Sequence, residues 1–474
     1  TGSVGIPTVR ARSPRLDSLS ESTARHEGDR VDSSPPSGTL RSAVIWSYAL
    51  TAGRIGVTTV VTFVLAKLLG PTEFGVLAMA LLVLGLAQML LQDGVVAAIV
   101  QRDQLTEDHL EGALVAVLLA GLGFAALMAA VSPLWGLANR TPQLTTVCLA
   151  LTPVVFLHAT MLVPEAVLRR RMRFQAVALR TLASALAGGV AGIGLALAGA
   201  GVWALVAQQV VTAVTNAVVL WLISPWRPRR RPRLAGVRDL WRFSAHSTNA
   251  GLAVYLSNRA DQLLTGLMFG PLAVGIYRLA IRLPEMVLDA SARSLQQVSL
   301  PALSRLQHDR DAFAARLADL QHVGAVVALP ALGLLAGLAD PLVDFLGPQW
   351  AGAELPLRLL CCYAALAVYG VLLGPALQAA GHPGRLAALA WLRGLLGAAV
   401  FLGVGAAMTG RQAGVQAAAR ATAAAATQLV VVTVTQQITR RTIGVKPRLI
   451  RPTLPAVAAL VGAAGVPLAL ELAG

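Results

Sequence analysis

The sequence predicts an all-α, polytopic membrane protein. About thirteen transmembrane helices form two six-helix lobes around a central cavity, with one peripheral helix at the C-terminal end. Three observations carry this. Apolar stretches close to the ~20 residues needed to cross the hydrocarbon recur about every 30 residues. The 474 residues are 56% hydrophobic and only 13% charged, with mean hydropathy +0.66, whereas soluble domains run near ~45–50% apolar and ~25% charged. The connecting loops alternate between arginine-rich and nearly uncharged.

Residues 1–40 are rich in Ser, Pro, Arg and Gly and contain no apolar run, which predicts a disordered cytoplasmic tail rather than a signal peptide. Six spans follow in an N-terminal lobe over 41–225, at about 42–68, 73–100, 110–134, 144–168, 174–198 and 201–224. A basic cytoplasmic linker occupies 226–239. Six more spans form the C-terminal lobe over 240–440, at about 240–268, 272–299, 313–338, 354–380, 384–408 and 412–438. Residues 441–474 hold a basic loop and the peripheral thirteenth span, 452–471. The segments are continuous and rich in Ala, Leu, Val and Gly, unlike the alternating ten-residue strands of a barrel.

Lys and Arg are retained on the cytoplasmic side of short loops. Arg169, Arg170, Arg171 and Arg173 follow the fourth span, Arg227 to Arg238 the sixth, and Arg440, Arg441, Lys446, Arg448 and Arg451 the twelfth. Gly70-Pro71, Asn139-Arg140, Gly199–Gly201, Asp340–Glu354 and Gly410-Arg411 carry little positive charge and face outward, so the N-terminus is cytoplasmic. The net charge of +16 is spread over several juxtamembrane loops. That distribution suits anionic membrane lipids and excludes a nucleic-acid-binding module.

Cys148, Cys361 and Cys362 fall inside spans, where a thiol behaves as a small hydrophobe. The scattered histidines have no zinc-ligand spacing, and no phosphate-binding Gly-x-x-x-x-Gly-Lys-Ser/Thr occurs. Neither a metal, another cofactor nor direct use of ATP is expected.

The chain repeats itself. Gly70-Pro71-Thr72-Glu73-Phe74-Gly75-Val76 closes the first hairpin, and Gly270-Pro271-Leu272-Ala273-Val274-Gly275-Ile276 closes the seventh-to-eighth. Either could be an ordinary tight turn. Each, however, follows a Leu-rich span and opens a group of helices bounded by a basic loop, which favours duplicated halves. Parallel halves with a substrate site between them are a standard plan for secondary transporters.

Charge inside a bilayer costs roughly 2.5–3.5 kcal/mol per group on insertion scales, so it marks a watery cavity or a partner. Asn258, Arg259, Asp261 and Gln262 cluster in the seventh span. Arg278, Arg282, Glu285, Asp289, Arg293 and Gln296 recur three or four residues apart in the eighth, on one helical face. This face is expected to line a cavity, with carboxylates that balance it or titrate. A ladder joining Arg282 to Glu285 and Arg278 to Asp261 is the structural alternative. Arg54 stands alone deep in the first span, and a guanidinium suits phosphate. Lys67, Asp93, Glu165 and Arg180 lie near span ends, where side chains snorkel.

The stretches Tyr255–Gly266, Gly270–Gly275, Tyr277–Ala280 and Leu300–Leu306, with Ala66–Gly75 and Arg171–Phe174, resemble the polysaccharide exporter family. Within it they are similar to Wzx-type oligosaccharide flippases of the colanic acid exporter branch, in the multidrug/oligosaccharidyl-lipid/polysaccharide (MOP) superfamily. The resemblance implies a flippase of the bacterial cytoplasmic membrane that carries a polyprenyl-pyrophosphate-linked glycan outward. Arg54, Arg259, Arg278 and Arg282 would meet the anionic head group. Asp261, Glu285 or Asp289 would couple a proton or sodium ion. The chain departs from some relatives in its long N-terminal tail and in thirteen spans rather than fourteen. A drug antiporter would need a less cationic cavity, and a lipid II flippase would differ mainly in its glycan. A membrane glycosyltransferase or polymerase would need catalytic carboxylates near the surface, where only Asp340 and Asp344 come close. The cytoplasmic arginine clusters are a candidate dock for a synthesis partner.

Overall fold

A computed structural model describes residues 40–101, 107–171, 173–228, 237–407 and 412–443. Among these, all regular structure is helical. The expected tail, most of the 226–239 linker and the thirteenth span lie outside the described residues.

The first half contains α1 (Leu40–Leu68), α2 (Pro71–Gln101), α3 (Glu107–Ala138), α4 (Pro142–Arg170), α5 (Phe174–Leu197) and α6 (Val202–Ile223). The second contains α7 (Val237–Leu288), a π turn (Asp289–Arg293), α8 (Ser294–Ser304), α9 (Arg310–Gly337), α10 (Ala339–Leu346), a 3-10 turn (Pro348–Trp350), α11 (Glu354–Val371), α12 (Leu373–Ala379), α13 (Pro383–Ala407) and α14 (Ala413–Ile443). Nine helices among the described residues are long and apolar enough to cross a membrane.

Two expectations are refined. Gly270, with φ 76° and ψ −174°, breaks the helix inside α7 between the seventh and eighth spans, and Pro271 resumes it at once. The π turn then carries that element on to Ser304, beyond the expected end at 299. The loop between the ninth and tenth spans is itself helical, holding α10 and the 3-10 turn.

The tenth span breaks between α11 and α12. Backbone carbonyls freed inside a membrane need donors. Gln296 Nε2 donates to the Val371 carbonyl at 2.8 Å, and Gln321 Nε2 to that of Tyr369 at 3.0 Å. Gln296, expected on the cavity-lining face, thus serves the break.

Buried apolar residues gather into two main cores. One runs from Val61 to Trp226 and the other from Ile276 to Ala421. Two residues cross over: Val274 belongs to the first core and Ala66 to the second. Ala66 lies just before the first of the repeated turns and Val274 within the second, so the halves interlock there. Between the halves, α2 packs along α7 more extensively than any other pair of helices.

Candidate site between the lobes

The repeated turns meet each other. A Cβ on Gly75 would overlap the Pro271 carbonyl oxygen, and a Cβ on Gly275 would overlap that of Pro71. Each half thus supplies a glycine to the other half's proline, a reciprocal contact of the kind a two-fold axis produces.

A second closure lies alongside. Trp350 is completely buried, and its Nε1 donates to the Ala66 carbonyl at 2.7 Å. The indole packs edge-on against Phe74 with ring centroids 5.6 Å apart. Gln349 Nε2 reaches the Lys67 carbonyl at 3.2 Å, and Lys67 Nζ sits 4.2 Å from the Phe345 ring centre. The 3-10 turn and α10 of one half therefore clip onto the end of α1 in the other. Just below, Gln262 Nε2 donates to the Ala78 carbonyl at 3.0 Å and Tyr255 Oη to the Leu82 carbonyl at 2.7 Å. Gln262, expected in the cavity, ties α7 to α2.

Deeper in, the arginines take over. Arg259 and Arg282 lie on either side of Gly270, about 17 and 18 Å along the helix from it at ~1.5 Å per residue. That is near the middle of a ~30 Å hydrocarbon layer. Arg278 is about 12 Å from Gly270, and Arg54 about 24 Å from Gly70. All four are half-buried on α1 and α7, the helices that face the other half. Arg259 and Arg278 both lie within electrostatic reach of the Tyr255 hydroxyl. The helices touch where Thr59 Oγ1 donates to Met286 Sδ at 3.5 Å, near Arg54 and Arg282 in sequence.

The expected carboxylates differ in their settings. Asp289 pairs with Arg293 at 2.6 Å, and both side chains are more than two-fifths exposed. Glu285 is half-buried, and no ion pair joins it to Arg282 among the described residues. The Asp261 side chain lies outside the described residues.

Sequence spacing undervalued another group. Arg180 does not snorkel: it is 3% exposed and bonds Glu165 at 3.1 Å, while Arg169 bonds the same carboxylate at 2.6 Å. Glu165 therefore pins α5 to α4 within the first half. Asp340 is likewise paired with the buried Arg358.

Residues 64–354 match the family described as polysaccharide biosynthesis protein. The chain belongs to this family. Among its polysaccharide-related relatives, the succinoglycan biosynthesis transport protein ExoT of Rhizobium meliloti (strain 1021) is 28% identical over 68% of this chain and 65% of that protein. The lipopolysaccharide biosynthesis protein WzxC of Escherichia coli (strain K12) is 26% identical over 71% of this chain and 69% of that protein. The matched stretch thus spans just under two thirds of the first relative's length. In fold, the chain is similar to the lipid II flippase MurJ in its inward closed conformation, with TM-score 0.67, 12% identity and coverage of 91% of this chain and all of that one. It is also similar to an inward-facing multidrug resistance MATE family transporter of the MOP superfamily, with TM-score 0.61, 12% identity and coverage of 83% and 98%. The exporter resemblance and the all-helical, multi-span fold read from the sequence are borne out.

Proposed function

We propose that the protein is a transporter, not an enzyme, that moves a polyprenyl-pyrophosphate-linked oligosaccharide across the bacterial cytoplasmic membrane. The observation that carries this is vertical order: Arg259, Arg278 and Arg282 on α7 near mid-membrane depth and Arg54 deeper on α1, beneath a seal where the two halves touch backbone to backbone.

A charged glycan head cannot cross hydrocarbon unless polar groups replace its water. Arg54, Arg259, Arg278 and Arg282 supply cations for a pyrophosphate at that depth, and guanidinium forks suit phosphate oxygens. The halves, 41–225 and 240–440, then rock against each other so that the arginine belt faces one side at a time. By the positive-inside rule the ends bearing Arg169–Arg171 and Arg227 are cytoplasmic, which puts the Gly70 and Gly270 turns outside and the N-terminus inside. The structure is then the outward-closed state. Of the candidate carboxylates, Glu285 suits proton or sodium coupling best, since Asp289 already engages Arg293 at the surface. Membrane lipid is the second partner, and the cytoplasmic arginines offer a docking surface to a polysaccharide synthesis enzyme.

The names of the relatives, a succinoglycan transport protein and a lipid II flippase, support the substrate class. The pairing of Asp340 with Arg358 speaks against the glycosyltransferase reading, which needs that carboxylate free. The test is reconstitution in liposomes with a fluorescent polyprenyl-pyrophosphate oligosaccharide. Wild type should move the lipid between leaflets, and Arg259→Ala and Arg282→Ala should not. Movement of small cations or drugs with none of the glycan lipid would replace the flippase with an antiporter.

A further inference from the structure

Arg420 was not singled out by any repeat, motif or charge stripe. It lies on α14 and is completely buried. Its guanidinium carbon sits 4.3 Å from the Phe269 ring centre on α7 and 5.8 Å from that of Phe401 on α13. A cation held inside a bundle of membrane helices is expensive, and such residues are usually functional. Contact with aromatic faces recovers part of the cost, and recovers more where water is excluded.

The position of Phe269 gives this contact its meaning. It directly precedes Gly270, whose φ of 76° turns the chain so that Pro271 meets Gly75 of the other half. Arg420 therefore holds the last side chain before that turn. The beginning of α14 also reaches the second closure: Gly414 packs on the backbone of Gly352, two residues after Trp350, and Ala417 and Ala421 share a core with that tryptophan. One helix thus touches both parts of the seal, through Gly414 to the Trp350 clip and through Arg420 to the Gly270 turn.

We infer that Arg420 is a positioning residue of the seal: by gripping Phe269 it joins the Gly270-Pro271 turn and the Trp350 clip into one body that docks on the other half as a unit. Without that grip the turn and the clip engage independently, and the closed state loses population. This inference rests on the proposed alternation of the lobes, not on the identity of the cargo.

The experiment measures closure directly and needs no substrate. Spin labels are placed at Thr72→Cys and Leu355→Cys, both exposed near the seal on opposite halves, with Cys148, Cys361 and Cys362 replaced by alanine. Distances between the labels are then read by pulsed electron paramagnetic resonance in nanodiscs. Wild type should give a dominant short distance. Arg420→Met should raise the ratio of long to short distances about threefold or more, within what a desolvated cation–π contact can contribute. Arg420→Lys, which keeps the cation, should fall between the two. A residue that merely stabilises the bundle would lower the melting temperature and leave the distance ratio of the folded protein unchanged, and that result overturns the inference. Should Arg420→Met fail to fold, Phe269→Leu removes the same grip while retaining Phe401, and an unchanged ratio there is equally decisive. A chain that closes as expected but moves no glycan lipid would sink the flippase reading and leave this one standing.

Discussion

The seal and the arginine belt occupy successive depths of the same interface and are built on opposite principles. The seal closes by shape, because Gly75 and Gly275 leave room for the carbonyls of Pro271 and Pro71 and one indole fills the gap beside them, while the cations near it, Lys67 and Arg420, lie on aromatic rings. The belt holds four half-buried arginines on the facing helices. Backbone-to-backbone contact is all-or-none, since a packed surface tolerates little added volume. A cationic surface can instead exchange water for an anion. The contrast assigns shape to closing and charge to carrying.

Variants can break that division. Trp350→Ala should have the largest effect, because emptying a fully buried indole site costs about 3–5 kcal/mol and also removes the hydrogen bond to Ala66. Thermal unfolding in detergent should report the loss of stability, and crosslinking across the seal should report loss of closure. Gly75→Ala combined with Gly275→Ala comes next. The new methyl groups collide with carbonyls of the opposite half, so roughly 1–3 kcal/mol of overpacking falls on the closed state. Transport should drop about tenfold or more, while the melting temperature changes less than in Trp350→Ala.

Arg259→Ala should invert the pattern, leaving closure intact and lowering transport by about tenfold, the value of one charge-assisted contact. Arg259→Lys should recover part of that rate, which would sharpen the distinction between fork geometry and charge alone. Asp289→Asn should do least. Its pair with Arg293 is exposed on both sides, and such pairs contribute at most about 1 kcal/mol. A large transport defect in Asp289→Asn, measured in the same liposomes, would move ion coupling from Glu285 to Asp289.

What the sequence made legible was whatever has a period or a repeat. Span length follows from hydrocarbon thickness, and the matching Gly-Pro turns announced two related halves before their contact was visible. The arginines of α7 were legible because charge is rare in a membrane. Partners were not. The polar face of the eighth span looked uniform, yet Gln296 serves a helix break and Asp289 faces Arg293. Arg180 looked peripheral because Glu165 stands fifteen residues away, across a loop. Trp350 and Arg420 depend on helices that meet only in three dimensions, and no spacing along the chain encodes them.

The central claim is that the seal must open for the cargo to pass. Lys67→Cys and Gln349→Cys, introduced where the Gln349 side chain meets the Lys67 carbonyl, allow the seal to be locked with a short, reducible bis-thiosulfonate crosslinker. In liposomes carrying the fluorescent glycan lipid, the locked protein should move none of it, and reduction should restore the rate of the uncrosslinked variant. Undiminished movement through a fully crosslinked protein would contradict the account.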